Sequence, residues 1–242
     1  MKNQNPSENK GVKKCGVTTQ SMAADNQVST RSVGVIALAY AASMLAQNVV
    51  FAVSGSPGYN DPLSVVLTYH AENQGALAVT SGLETFNMVL LLLFITSLHG
   101  LVKRRGGLGE NWSRLAMSAG STLSALFALT IATHISVVLA ANGLTEPNIA
   151  FEMMWQLHAA CFALSLPALG LTFIGSVLAT HTNGLTRPWQ RQLGVVGGIL
   201  PILAGMGNLA ISGGSSLLYL GVLGLFLWIF WLIATGLRLI RG

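Results

Sequence analysis

ALAVTSGLETFNMVLLLLFITSLHGLVKRR, residues Ala76–Arg105, carries the pattern from which the fold class follows. Between Ala76 and Val102 it carries one charged side chain, Glu84, and it closes on three consecutive cations, Lys103, Arg104 and Arg105. A helix needs about 20 apolar residues to cross the hydrocarbon core of a bilayer, whereas a barrel strand needs about 10. The run is long enough for the first and too long for the second. In lipid every backbone N–H and C=O must be paired within the protein, which a helix achieves alone.

Five further runs have the same character: Val33–Val53, Leu115–Ala141, Ile149–Thr180, Leu193–Ser212 and Ser215–Leu239. Composition agrees, with 52% hydrophobic and 9% charged residues in a chain of 242 and a mean hydropathy of +0.60. Soluble domains carry roughly 25% charged residues, so a soluble fold is excluded. The expected fold is all-α, a polytopic bundle of six transmembrane helices over residues 31–242. It follows a polar, aperiodic stretch over residues 1–30 that reads as a disordered cytoplasmic tail. That tail has no apolar core of a cleavable signal peptide, and Met22 competes with Met1 as the start. Cys15 lies in the tail and Cys161 in an apolar run, so no intramolecular disulfide is expected.

The cations sort to one side of a six-span arrangement. Lys2, Lys10, Lys13, Lys14 and Arg31 precede the first run, and Lys103–Arg105 and Arg114 flank the second break. Arg187 and Arg191 lie between the fourth and fifth runs, and Arg238 and Arg241 close the chain. The breaks near 54–75, 142–148 and 213–214 hold no lysine or arginine. By the positive-inside bias both termini are cytoplasmic. The net charge of +5 is then a topology signal and a contact to anionic lipid, not a nucleic-acid surface.

Turn chemistry marks the breaks: Ser54-Gly55-Ser56-Pro57-Gly58, Arg105-Gly106-Gly107, Asn142-Gly143, Asn183-Gly184 and Gly213-Gly214. Pro167 and Pro201 fall inside runs and are expected to kink them. In the long first outer break, Asp61-Pro62 reads as an N-cap with proline at the first helical position. Leu63, Val66, Leu67 and His70 follow at helical spacing, so a short amphipathic helix on the outer membrane surface is expected, as an anchor or as a lid.

Polar groups inside spans are costly and face other helices or a wet cavity. At ~1.5 Å per residue, Asn48, Glu84, Asn87, His134, Glu152, Gln156, His158 and Asn208 all fall in the outer half. Together they predict an outward-facing polar layer, which binds a ligand or only hydrogen-bonds helix to helix at about 0.6 kcal/mol per bond. Within it, Met154, His158 and Cys161 share a helix face at i, i+4, i+7, with His134 and Met88 able to approach. Imidazole with thioether or thiol suits copper, and His134 with His158 suits haem iron. Glu84 and Glu152 offer carboxyl groups for proton-coupled transport, although the two halves of the chain show no repeat. No GxSxG, P-loop, GxGxxG, HExxH or CxxC occurs, which points away from an enzyme. Glycines of the fifth run, Gly194 and Gly198 among them, predict close helix packing. The last run is apolar all round, with Phe226, Trp228, Phe230 and Trp231 expected to face lipid or a partner subunit.

Several segments carry a resemblance: Leu185-Thr-Arg-Pro-Trp189 before Leu193-Gly-Val-Val-Gly-Gly198, Leu157-His-Ala-Ala-Cys-Phe162, Leu218-Tyr-Leu-Gly221 and Trp231-Leu-Ile-Ala-Thr-Gly-Leu-Arg238. Over residues 31–242 the chain resembles a broad group of bacterial six-span membrane proteins of unknown function, with Arg187-Pro188-Trp189 in place of that group's Pro-Arg-Trp. The resemblance implies an all-helical fold in the bacterial cytoplasmic (inner) membrane and brings no activity with it. The leading functional expectation is a non-catalytic accessory or regulatory subunit packing against other membrane proteins. The alternatives are an outward-facing metal, haem or small-ligand site and a proton-coupled transporter.

Overall fold

The computed structural model describes residues 29–241, so the expected tail lies outside the described residues up to position 28, with Cys15 and both candidate starts. Its last two residues belong to the fold: Ser29 Oγ accepts a hydrogen bond from Ser32 N and caps the first helix, which begins at Thr30. Among the described residues there are eight helices and no strand. They are α1 (Thr30–Ser54), α2 (Leu63–Glu72), α3 (Gln74–Arg105), α4 (Gly109–Ala141), α5 (Ile149–Thr182), α6 (Pro188–Met206), α7 (Asn208–Ser212) and α8 (Leu218–Arg241).

Six of them close a ring, each packed against its two neighbours in the order α1, α3, α4, α5, α6, α8 and back to α1. Neighbours run in opposite directions. Gly34 and Gly236 approach where α1 begins and α8 ends, and Arg105 Nη1 donates to the Asn183 carbonyl where α3 and α5 both end. Every described arginine or lysine of the turns and helix ends therefore gathers at one end of the ring, the basic end.

Five helices, α1, α3, α4, α5 and α8, are long and apolar enough to cross a membrane, which makes this a helical membrane protein. The fifth expected run is cut differently. A continuous span over Leu193–Ser212 was the expectation; instead α6 opens early, on Pro188-Trp189-Gln190-Arg191-Gln192, and stops at Met206. Gly205 and Gly207 weaken the helix there. The Leu217 side chain lies so close to Gly207 that an added Cβ would sit 2.6 Å from it, and α7 continues after the break.

Small residues let the backbones approach. A Cβ on Gly34 would lie 2.7 Å from the Gly236 carbonyl oxygen, one on Gly175 2.8 Å from Ala116 N, and one on Gly224 2.9 Å from the Gly197 carbonyl oxygen. The interior between α1, α3, α5 and α8 is filled by Phe94, Phe173, Trp228, Trp231 and surrounding aliphatics. This corrects the expectation for the last helix. Trp228 and Trp231 are fully buried and stack on each other at 5.4 Å and 10°, while Phe226 and Phe230 face outward. Two indoles three residues apart fall on one face of α8, and that face is held between α1 and α6.

Candidate functional site

At the end of the ring opposite the cations lies a cavity of about 340 Å³. Helical spacing brings its walls together. Met44, Gln47, Asn48 and Phe51 recur at i, i+3, i+4, i+7 on α1, and Glu84, Asn87 and Met88 share a face of α3. Thr130 and His134 come from α4; Trp155, His158 and Phe162 come from α5; Leu218, Val222 and Leu225 come from α8. The loop before α2 and α2 itself add Ser56, Pro57, Gly58, Tyr59 and His70 as a roof.

The roof is tied down at several points. Ser54 Oγ and Tyr69 Oη share a hydrogen bond of 2.7 Å, and Val66 and Leu67 pack on Val137, Phe151 and Trp155. Asp61 does not cap α2. Its Oδ2 accepts from Gly58 N at 2.7 Å and folds the loop, while Pro62 stands at the N-cap without a side-chain bond. The turn after α7 presses on the same loop: Gly214, at φ 87°, has no Cβ to collide with Asn60.

Four aromatic or imidazole rings meet beneath the roof. His134 and His158 stack with centroids 5.0 Å apart and planes 27° apart, and Trp155 stacks on His158 at 5.4 Å. His70 stands edge-on to His134 and to Trp155, each at 5.5 Å. Tyr59 closes the group from the loop at 5.1 Å from Trp155 and 5.8 Å from His158. His70 Nδ1–H donates to its own helix at the Val66 carbonyl (2.7 Å), and His158 Nδ1–H donates to the Thr130 carbonyl of α4 (3.1 Å). A neutral imidazole that donates through Nδ1 keeps Nε2 as an acceptor. His70 is only 1% exposed, and burial pulls its pKa from the ordinary 6.5 down to about 4. Burial pushes the Tyr59 phenol above its usual range.

Beside the rings runs a chain of polar bonds between α1 and α3. Gln47 Nε2 donates to Glu84 Oε1 at 3.3 Å, and Asn87 Nδ2 donates to Gln47 Oε1 at 2.6 Å. The other carboxylate oxygen, Glu84 Oε2, is 3.8 Å from His134 Nδ1, too far for a hydrogen bond. Glu84 Oε2, Asn87 Oδ1 and Trp155 Nε1 are buried without hydrogen-bond partners.

The predicted polar layer thus divides. Asn48, Glu84, Asn87, His134 and His158 line the cavity, although Asn48 Nδ2 is already bonded to the Met44 carbonyl at 2.8 Å. Gln156 and Asn208 instead line a more open and mostly apolar outer groove of about 730 Å³ between α5 and α7, with Met153 and Met154. Glu152 belongs to that side, because Gln156 Nε2 donates to its carboxylate at 3.1 Å. The set His134, His158, Met154 and Cys161 is divided the same way, with Met154 in the outer groove and the two histidines in the cavity. Among the described residues no group of three or more His, Cys, Asp or Glu side chains is arranged to hold a metal ion. Nor do His134 and His158 fit a haem: stacked face to face at 5.0 Å, they leave no room for a porphyrin plane between ligating nitrogens.

Gln47, Tyr59, His70 and Trp155 belong to the site and were missed from sequence. Gln47 had a visible signal, being the second polar residue beside Asn48 near the end of the first run. Tyr59 had none, and His70 had only the lid reading of its helix, since both reach the site because the loop and α2 fold back over the ring. Compared with known protein families, curated proteins and solved structures, the chain has no match.

Proposed function

We propose that this chain is a six-span membrane protein that binds a small molecule in the cavity at the histidine end, with no chemistry of its own. The observation that carries this reading is a cavity of about 340 Å³, mixed aromatic and polar, with buried polar atoms left unpaired around it. Small-molecule sites are concave, mostly apolar, and hold a few convergent polar groups. Buried polar atoms without partners are costly, and a ligand in this cavity supplies partners to those that border it. In this reading α6 and α7 together make the sixth crossing. The cations hold the basic end and both termini in the cytoplasm of a bacterial inner membrane, and the cavity opens outward.

The accessory-subunit reading draws on the exposed row Tyr219, Leu223, Phe226 and Phe230 along α8. Lipid covers such a row equally well, whereas lipid gives no account of the polar cavity, so binding is the better-supported reading.

Thermal unfolding of the purified protein in mild detergent, across a panel of small amphipathic compounds, tests the proposal. A compound at one hundred times its Kd adds roughly 2.7 kcal/mol, a readily measured rise in Tm. Val222→Trp, which fills the cavity from α8, is expected to unfold cooperatively and to lose that rise. A panel in which no compound raises Tm for the parent protein would falsify it.

A further inference from the structure

Resting on the cavity reading above, we infer that the ligand is a small organic amine, its protonated nitrogen held against Glu84 and Asn87 and its apolar body against the aromatic walls. The polar chain between α1 and α3 sets the direction of every bond in it. A carboxylate only accepts, so the Gln47 amide presents its NH₂ to Glu84 and its oxygen to Asn87. Asn87 must then turn its NH₂ toward Gln47 and its carbonyl oxygen away. What remains is a pair of buried acceptors one helical turn apart, Glu84 Oε2 and Asn87 Oδ1.

Two histidines of the lining have the same bias. His70 and His158 both spend their Nδ1–H on backbone carbonyls, which leaves acceptor nitrogens. Against these stands one buried donor without a partner, the indole N–H of Trp155. Among the described residues no lysine or arginine lines the cavity, and the basic group nearest Glu84 Oε2 is His134 Nδ1, at 3.8 Å and beyond hydrogen-bond reach. A ligand rich in N–H donors and carrying a positive charge supplies what the lining lacks, through charge-assisted hydrogen bonds. The walls favour the same class, because they carry Tyr40, Phe51, Tyr59 and Trp155, aromatic rings of the kind that attract cations. A bare metal ion fits less well. Imidazole lone pairs lie in the ring plane, and stacked rings such as His134 and His158 set their nitrogens side by side rather than converging on a point.

Isothermal titration of the purified full chain at pH 7.5 with phenethylamine, 2-phenylethanol and 3-phenylpropionate compares three head groups on nearly the same body. Phenethylamine is expected to bind at least tenfold tighter than the alcohol, the acid not at all. Glu84→Gln is expected to erase the ratio while leaving alcohol binding within about threefold, and Asn87→Leu, which keeps the carboxylate, to reduce it severalfold. Far-ultraviolet circular dichroism and elution volume of both variants check that they fold. Equal binding of amine and alcohol, or tighter binding of the acid, overturns the amine and leaves the cavity reading intact. Stoichiometric binding of zinc chloride that Glu84→Gln abolishes overturns it in favour of a metal. If none of the three compounds binds while another from the wider panel does, the amine class falls alone; if nothing in either panel binds, both readings fall.

Discussion

The two halves of the ring are built from the same helices and do opposite things with their interior. Toward the basic end, α1 and α8 meet through Gly34 and Gly236, and the space between helices is filled by the stacked indoles of Trp228 and Trp231 against Phe94 and Phe173. Toward the other end the same helices carry Gln47, Asn48, Val222 and Leu225, and they enclose a cavity of about 340 Å³. The difference lies in what stands between the backbones. At the basic end aromatic side chains fill the interior between the backbones, whereas at the opposite mouth a chain of polar bonds joins α1 to α3 and a roof packs over α4 and α5. One half supplies a filled interior, and the other encloses a cavity with a polar lining.

The largest effect should come from breaking the packed half. Trp228→Ala deletes a fully buried indole that touches Tyr40, Phe94, Phe173 and Trp231. Large-to-small changes of this kind cost about 3–5 kcal/mol, so denaturant unfolding in mixed micelles should show a loss of that size. A second effect belongs to the cavity half and depends on pH. His70 is held near pKa 4 against 6.5 in the unfolded chain. Between those values the unfolded state binds more protons, so stability is full above pH 6.5 and declines as pH falls toward 4, by up to roughly 3 kcal/mol. His134 on α4, Trp155 and His158 on α5 and Tyr69 on its own helix face this ring. Unfolding measured from pH 7.5 to 4.5 should show the slope, and His70→Phe should reduce it.

Gly34→Val pushes a side chain onto the Gly236 carbonyl and should cost about 1–3 kcal/mol without altering ligand binding. Phe230→Ala, by contrast, changes a side chain 51% exposed on the outer face of α8. It should shift stability by no more than about 0.5 kcal/mol. Equal losses for Phe230→Ala and Trp228→Ala would erase the distinction between the inner and outer faces of this helix.

Much of the ring was legible because hydrocarbon imposes a length rule that apolar runs obey directly. Ala76–Val102 lies within α3 and Leu115–Ala141 within α4, both of which extend further at the basic end. The fifth run misled because hydropathy does not register a backbone break: Gly207 is neutral on any scale, yet α6 ends before it. Trp228 and Trp231 misled for a related reason, since an all-apolar helix gives no clue which face meets protein and which meets lipid.

The site was half legible. Depth along each helix placed Glu84, Asn87, His134 and His158 at one level, and the structure brings them together around one cavity. Depth alone does not say which way a side chain faces, so Glu152, Gln156 and Asn208 were grouped with them although they belong to the outer groove. His70 shows the opposite failure. Its helical spacing with Val66 and Leu67 predicted α2, but burial against His134 depends on where that helix folds back, which no local pattern encodes.

Val222 and Ile229 lie two turns apart on one face of α8, the first on the cavity and the second in the packed interior. Introduced one at a time as cysteines in a background lacking Cys15 and Cys161, they can be challenged with a membrane-impermeant, water-soluble thiol reagent on intact cells. Rapid labelling is expected at position 222, slowed by a bound cavity ligand, and none at position 229. Equal labelling of the two, or labelling at 229 alone, would contradict the division of the bundle into an open polar half and a closed aromatic one.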